Sequence, residues 1–166
     1  MIQEERTLIV VDLENACGGS GLVSANHRRV LKSINLLPTV RRPMVVFSTG
    51  PRAVAETPDL FWVWRSARFV QGRGLDGADN ALISVLREEP VAARSSRVIL
   101  VSGDHAFAEP LGEIRARGIR TGVMAHPASL SRKLAANADE ILWVPDFDGP
   151  PTTPAGNDPV NFKEVA

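Results

Sequence analysis

The chain predicts a doubly wound α/β fold, a mostly parallel sheet with helices packed on both faces. Two observations carry this. Five short apolar runs recur along the sequence, near-continuous rather than alternating, as suits strands buried on both faces. Helical patterns of apolar residues lie between most of them, the alternation that builds parallel crossovers. At 166 residues the chain reads as one domain, long enough to bury roughly two thirds of its unfolded surface.

The five runs, in order, are Leu8–Val11, Met44–Phe47, Phe61–Trp64, Val98–Val101 and Ile141–Val144, each expected to be a strand; Thr121–Met124 is a weaker sixth. Ser24–Leu37 places Val30, Ile34 and Leu37 on one helical stripe, and Gly77–Glu88 does the same with Ala78, Ala81, Leu82, Val85 and Leu86. Glu109–Arg117 and Leu130–Ala138 supply two further helices, the former followed by Gly118 where a helix stop is expected. Residues 1–146 form the expected domain, and the Pro-rich, acidic 147–166 read as a disordered tail.

Hydrophobic residues make up 44% and charged residues 23%, which excludes a mainly disordered chain. No run of about 18 apolar residues occurs, so no membrane span is expected. The lone Cys17 excludes a disulfide scaffold and fits a reducing compartment. The opening residues carry acids before a short apolar run, unlike a secretory signal, and a cytoplasmic location is expected.

Nineteen bases balance nineteen acids, but unevenly. Between Asn15 and Ala55 there are six bases and no acid: Arg28, Arg29, Lys32, Arg41, Arg42 and Arg52. From Asp139 onward there are six acids and one base, Lys163. A polarised surface with a side able to meet phosphate follows, as does the plainer picture of a solvated basic helix face and an acidic tail.

In doubly wound sheets ligands bind beyond the carboxyl ends of the strands, so the residues after each run matter most. The first run ends in Asp12, Leu13, Glu14 and Asn15, and the fourth in Ser102, Gly103, Asp104 and His105. A carboxylate at a strand tip either holds a hard cation such as Mg²⁺ or Mn²⁺ or caps the following turn. Between them, Gly72 to Asp79 matches G-x-G-x-x-G as a string, but no good strand precedes it, so dinucleotide binding is not expected. Helix entry explains it better, with Asp76 as N-cap and Asp79 in the first turn, where the helix dipole favours negative charge. If Asp12, Asp79 and Asp104 converge, their repulsion requires a cation, whereas caps have no need to meet.

In this order the motifs Val11-Asp12-Leu13-Glu14-Asn15, Gly77-Ala78-Asp79-Asn80-Ala81-Leu82 and Val101-Ser102-Gly103-Asp104-His105-Ala106-Phe107 resemble the NYN domains of the PIN-like nuclease superfamily. Ser129 to Leu134, followed by Ala138-Asp139, resembles the family's closing helix and strand, so the likeness spans roughly residues 7–145. The resemblance implies a three-layer Rossmann-like, PIN-like sandwich and a Mg²⁺- or Mn²⁺-dependent ribonuclease. Asp12, Asp79 and Asp104 match the metal-binding catalytic acids, and Asn15 matches the polar residue after the first strand. Ser102 and Ser131 match flanking polar positions. Many members carry a second acid where this chain has Ala106; Asp76 and Glu14 are the candidate substitutes.

The implied partner is RNA, single-stranded or structured, and a homodimer is compatible with the sequence. Arg73, Arg132 and Lys133 are the candidates for gripping the RNA backbone, with plain surface charge as the alternative. Trp62 and Trp64 offer a stacking face for bases, although at least one is expected in the core. His105 is a capping or surface histidine before it is a proton shuttle. The missing acid at Ala106 also fits a non-catalytic RNA-binding or protein-interaction module on the same fold. A haloacid-dehalogenase-like phosphatase would want an Asp where Glu14 stands and a partner lysine that the sequence does not supply.

Overall fold

The computed structural model describes residues 5–39 and 41–144. The chain enters β1 (Thr7–Asp12) and turns directly into α1 (Leu13–Cys17), then α2 (Val23–Asn35) and β2 (Met44–Ser48). Two short helices follow, α3 (Pro51–Glu56) and α4 (Leu60–Val63), leading to β3 (Arg68–Phe69), α5 (Gly77–Glu88) and α6 (Val91–Arg94). The second half runs β4 (Arg97–Val101), α7 (Ala108–Ala116), β5 (Arg120–Ala125), α8 (Arg132–Ala135) and β6 (Glu140–Trp143).

The six strands form one sheet in the order β3-β2-β1-β4-β5-β6, and every pairing is parallel. The α/β sandwich expected from the sequence is therefore present, with a sheet that is wholly rather than mostly parallel. The order reverses between β1 and β4, where the crossovers leave the sheet in opposite directions and open a crevice at the strand tips.

Strand parity separates the two cores. Leu8 and Val10 of β1 join Leu82, Val85 and Leu86 of α5 and Leu111 and Ile114 of α7. Ile9 and Val11 join Leu13, Val30 and Ile34 of α1 and α2 on the other face. Fully burying one such side chain is worth about 1.5–3 kcal/mol, which is why the central strands read as unbroken apolar runs. Asp12, next after Val11, shares the parity of Leu8 and Val10 and so faces the α5–α7 layer.

The apolar run Phe61–Trp64 is not a strand. It lies in α4 and the residue after it, and its burial has helical spacing: Leu60 and Trp64 are inaccessible, while Phe61 is 49% and Trp62 71% exposed. The poor run beginning at Arg68 provides the edge strand instead, pairing only with Val46 and Phe47. The helix expected over Leu130–Ala138 is one turn, Arg132–Ala135, whereas α5 spans Gly77–Glu88 as expected. Gly118 takes the left-handed turn after α7.

At the far end of the sheet from the strand tips, the buried Arg97 guanidinium binds Glu5 at 3.2 Å, Glu140 at 2.7 Å and the carbonyl of Pro38 at 3.0 Å. One side chain thus ties the start of β1, the edge strand β6 and the loop after α2. The expected boundary at residue 146 and the tail 147–166 lie outside the described residues. Among the described residues no helix is long and apolar enough to cross a membrane.

Candidate functional site

β1 and β4 are neighbours, so Asp12 at the tip of one and Asp104 just beyond the other are joined through Ser102, although Asp104 is not among the charges that raise Asp12. Asp12 is 4% exposed. Its Oδ2 accepts from the Ser102 hydroxyl at 3.0 Å and its Oδ1 from the backbone N–H of Asn15 at 3.3 Å. The Asn15 amide oxygen reaches across to accept from Gly103 N–H at 2.7 Å, and Ser102 accepts in turn from Asp104 N–H at 3.1 Å. The two strand tips are thereby laced together by Asp12, Asn15 and Ser102, none of which can shift without the others.

Burial, and after it the charge of Asp79 and then Glu14, pushes the Asp12 carboxyl up to about 7, against the lowering effect of its two hydrogen bonds. Asp79, at the third position of α5, is also raised, first by burial and then by the charges of Asp104, Asp76 and Glu14. The neighbouring Cys17 thiol is pushed up to about 12 by burial and then by Asp12 and Glu14. Three titratable groups thus register one negative field. Among the described residues no Lys, Arg or His pairs with Asp12, Glu14, Asp76 or Asp79.

Asp104 takes the capping role that the sequence allowed. Its Oδ1 caps the turn that opens α7, accepting from Ala106 N–H at 2.9 Å, and its charge also reaches Asp79. The His105 ring lies 3.1 Å from the same oxygen and is otherwise exposed, the capping and surface position anticipated for it. Ser131 caps α8 through Leu134 N–H at 3.4 Å, and its own N–H donates to the Gly103 carbonyl at 2.9 Å. A Cβ on Gly103 would lie 2.3 Å from the Ser129 carbonyl oxygen, so only glycine lets this loop close over β4.

Asp76 stands at the N-cap position of α5 but does not cap it through its side chain. Its φ of 56° is left-handed, and the expected side-chain hydrogen bond is absent. The turn is shaped instead by glycines: a Cβ on Gly72 would overlap the Gly77 carbonyl oxygen at 1.6 Å. Arg73 lies on this exposed loop; Arg132 and Lys133 are exposed on the first turn of α8, directly after Ser131.

Two groups are more prominent than the sequence suggested. Glu14 accepts from Gly50 N–H at 2.7 Å and from the Thr49 hydroxyl at 3.4 Å, which fastens the β2 tip to the site. Ser48, in register with Asp12 on β2, is fully buried, and its hydroxyl has no hydrogen-bond partner among the described residues. The polar triplet Ser48-Thr49-Gly50 immediately after the second apolar run was the available signal.

The donor set fits a hard divalent cation in its chemistry: all oxygen, mostly carboxylate, and without a pairing base among the described residues. It is not drawn tight. Among the described residues no three His, Cys, Asp or Glu side chains are grouped closely enough to hold a metal ion.

A wholly parallel α/β sandwich with acids at the adjoining tips of β1 and β4 and in the first turn of α5 is a PIN-like architecture. Residues 66–145, just under half of the chain, match the NYN domain family model, so this stretch is similar to that family of PIN-like nucleases. The fold is also similar to the crystal structure of a protein of unknown function from Vibrio parahaemolyticus, with 20% identity and a TM-score of 0.60 over 88% of this chain and 96% of that one. No curated protein matches the chain.

Proposed function

We propose that this chain is a divalent-metal-dependent ribonuclease that hydrolyses RNA phosphodiester bonds at the tips of β1 and β4. The observation that carries the reading is Asp12: a buried carboxyl raised to about 7 by its burial and by a second acid, with no base paired to it among the described residues. Such an arrangement is costly unless a cation joins it. Asp12, Asp79 and Asp104 would hold Mg²⁺ or Mn²⁺, directly or through water. A cation bound there lowers the pKa of an attacking water and offsets charge growing on the phosphate oxygens.

The chain's own residues do the rest. Ser102 and the Asn15 N–H fix the Asp12 carboxylate. Asn15 and Ser131 hold the β4 tip through Gly103, which aims Asp104. Because the crevice is negative, RNA must be gripped from its rim. Arg73, exposed on the loop before α5, and Arg132 and Lys133, exposed on α8, would supply that grip.

The test is a Mn²⁺ titration of metal-stripped protein followed by thermal unfolding, for wild type and Asp104→Asn, with cleavage of single-stranded RNA alongside. Asn keeps the cap on Ala106 N–H, so the variant should fold. A ligand specific to the folded state adds about 2.7 kcal/mol at a hundredfold excess over Kd. Wild type should gain melting temperature and cleave; the variant should lose both responses. No metal response from wild type sinks the proposal.

One finding favours a second reading, an RNA-binding module that does not cut. The Asp104 carboxylate is engaged by Ala106 N–H and His105, and Ala106 supplies no second acid. RNA affinity unchanged in Asp104→Asn, with no cleavage by wild type, would establish that reading.

A further inference from the structure

α5 presents Asp79 to the other acids, but a second flank of the same helix faces an open groove of about 480 Å³. Successive helical residues are turned about 100° apart, so Asp79 belongs to the crevice and Asn80 to the groove. The groove runs between α5 and the segment after β3, at the edge of the sheet where β3 has only β2 beside it. Asn80, Ser84 and Glu88 line it at every fourth position, a polar column ~12 Å long at ~1.5 Å per residue. Ala81 and Val85, each one position further on, make an apolar strip beside that column, continued by Val70 on the facing wall. Gly72 of that wall packs directly on Gly77, which fixes the upper end of the groove to the start of α5.

The polar groups of the lining are left for a ligand. The Gln71 and Asn80 carboxamides and the Ser84 hydroxyl make no hydrogen bond among the described residues. Beyond Val70, whose N–H donates to the Phe47 carbonyl, the backbone of Gln71 and Gly72 makes none there either. The charges choose the kind of ligand. No Lys or Arg lines the groove, so it does not suit a phosphate or a carboxylate. Glu89 is paired with Arg68 at 2.6 Å, whereas Glu88 makes no ion pair among the described residues. The groove thus offers a flat apolar strip for one face of a ligand, and carboxamides, a hydroxyl and one free carboxylate for its edge.

We infer that this groove seats the base of an RNA nucleotide that carries an exocyclic amino group. The inference rests on the ribonuclease reading and adds a base preference to it. The base lies on Ala81, Val85 and Val70, its edge meets Asn80, Gln71 and Ser84, and its amino group donates to the Glu88 carboxylate. The phosphate stays outside, toward the loop where Arg73 directly follows Gly72. Uracil presents a carbonyl where cytosine presents the amino group, which sets one acceptor against another at Glu88. A volume of about 480 Å³ is within the ~300–1,000 Å³ range of small-molecule sites.

The test uses the full, metal-free chain with cytidine and uridine as probes, a pair that differs at this edge and carries no phosphate. Amide shifts at residues 70–72 and 80–88, including the Asn80 and Gln71 side-chain amides, should saturate with cytidine at millimolar Kd. Uridine should bind about tenfold more weakly, the low end for a hydrogen bond to a charged group. Glu88→Gln, a substitution at an exposed residue, should bring the two affinities together, because a carboxamide can donate to the uracil carbonyl. Asn80→Ala should weaken cytidine severalfold. Absence of saturable shifts, equal binding of uridine by wild type, or an unaltered ratio in Glu88→Gln would overturn the inference. The same amides moving with protein concentration alone would place a second copy along the free edge of β3 and overturn it too. No readout uses metal or cleavage, so a chain that fails the Mn²⁺ titration can still prefer cytidine, and an active nuclease can still fail here.

Discussion

Ser102 donates its hydroxyl to Asp12 Oδ2 at 3.0 Å across the seam between β4 and β1, and this bond joins the two strand tips from which the site is built. The same serine accepts from the backbone N–H of Asp104, so one hydroxyl holds the Asp12 carboxyl and the backbone at Asp104. Ser102→Ala should therefore cost about 1.5–3 kcal/mol at pH 8, where Asp12 is mostly ionised, and less at pH 4, where it is protonated. Urea unfolding at the two pH values checks this.

The raised Asp12 carboxyl makes stability depend on pH in an unusual direction. Its folded value is about 7 against an ordinary 3.8, so between those values the folded state binds more protons than the unfolded chain. Stability from this group is thus full below about pH 4 and is lost as pH rises toward 7, an effect of roughly 2–4 kcal/mol. In chelator, metal-free Asp12→Asn should lose this slope and be the more stable protein at pH 8. His27 works the other way: burial lowers it, so it favours stability as pH rises through the histidine range. It is present in both proteins and cancels in the difference between their unfolding curves.

Gly72→Ala should destabilise the chain by about 2 kcal/mol or more, because the new Cβ would overlap the Gly77 carbonyl oxygen and force the loop off the start of α5. Asp76→Gly, by contrast, should be neutral or slightly stabilising. It relieves a left-handed φ of 56° and gives up no cap bond. Melting temperatures of the two variants should move apart.

Arg97→Ala should cost about 3–5 kcal/mol, since it leaves Glu5 and Glu140 facing each other's charge at the foot of the sheet with the Pro38 carbonyl unmet. Chemical denaturation at neutral pH measures it. Activity per folded molecule should be unchanged, because the strand tips are at the other end.

Trp64→Ala should cost about 3–5 kcal/mol, since the ring is 1% exposed and packs on Phe47 at 5.0 Å between centroids. Trp62→Ala should leave stability within ~0.5 kcal/mol. Its ring is 71% exposed and carries the Arg65 guanidinium 5.0 Å above its centroid. If Trp62 stacks on an RNA base, single-strand affinity should fall by about 1–3 kcal/mol in that variant. Filter binding on the two variants separates the core tryptophan from the surface one.

The α4 segment shows where local pattern misleads. Four consecutive large apolar residues match a buried strand, and only the burial of Leu60 and Trp64 with Phe61 and Trp62 exposed exposes the helical period. A run that short contains too few turns for its periodicity to be read, and the Asp59 interactions with His27 and Arg28 that seat it come from α2, about thirty residues away in the chain. The surroundings of Asp104 were legible only in part for a related reason. Capping is a local property that the sequence displays, whereas its effect on Asp79 depends on how α5 packs beside β4.

What the sequence determined by itself was five of the six strands, the longer helices α2, α5 and α7, their alternation, and the position of an acid at or just beyond the ends of two of the strands. These follow from side-chain hydrophobicity and backbone period, which act over a few residues. Only the tertiary structure decided that β1 and β4 lie side by side, that Asp12 turns toward α5 and is raised by Asp79, and that Glu14 binds the β2 tip at Gly50. Strand order depends on contacts between residues some ninety positions apart, and the burial that shifts a carboxyl is contributed by every layer packed around it.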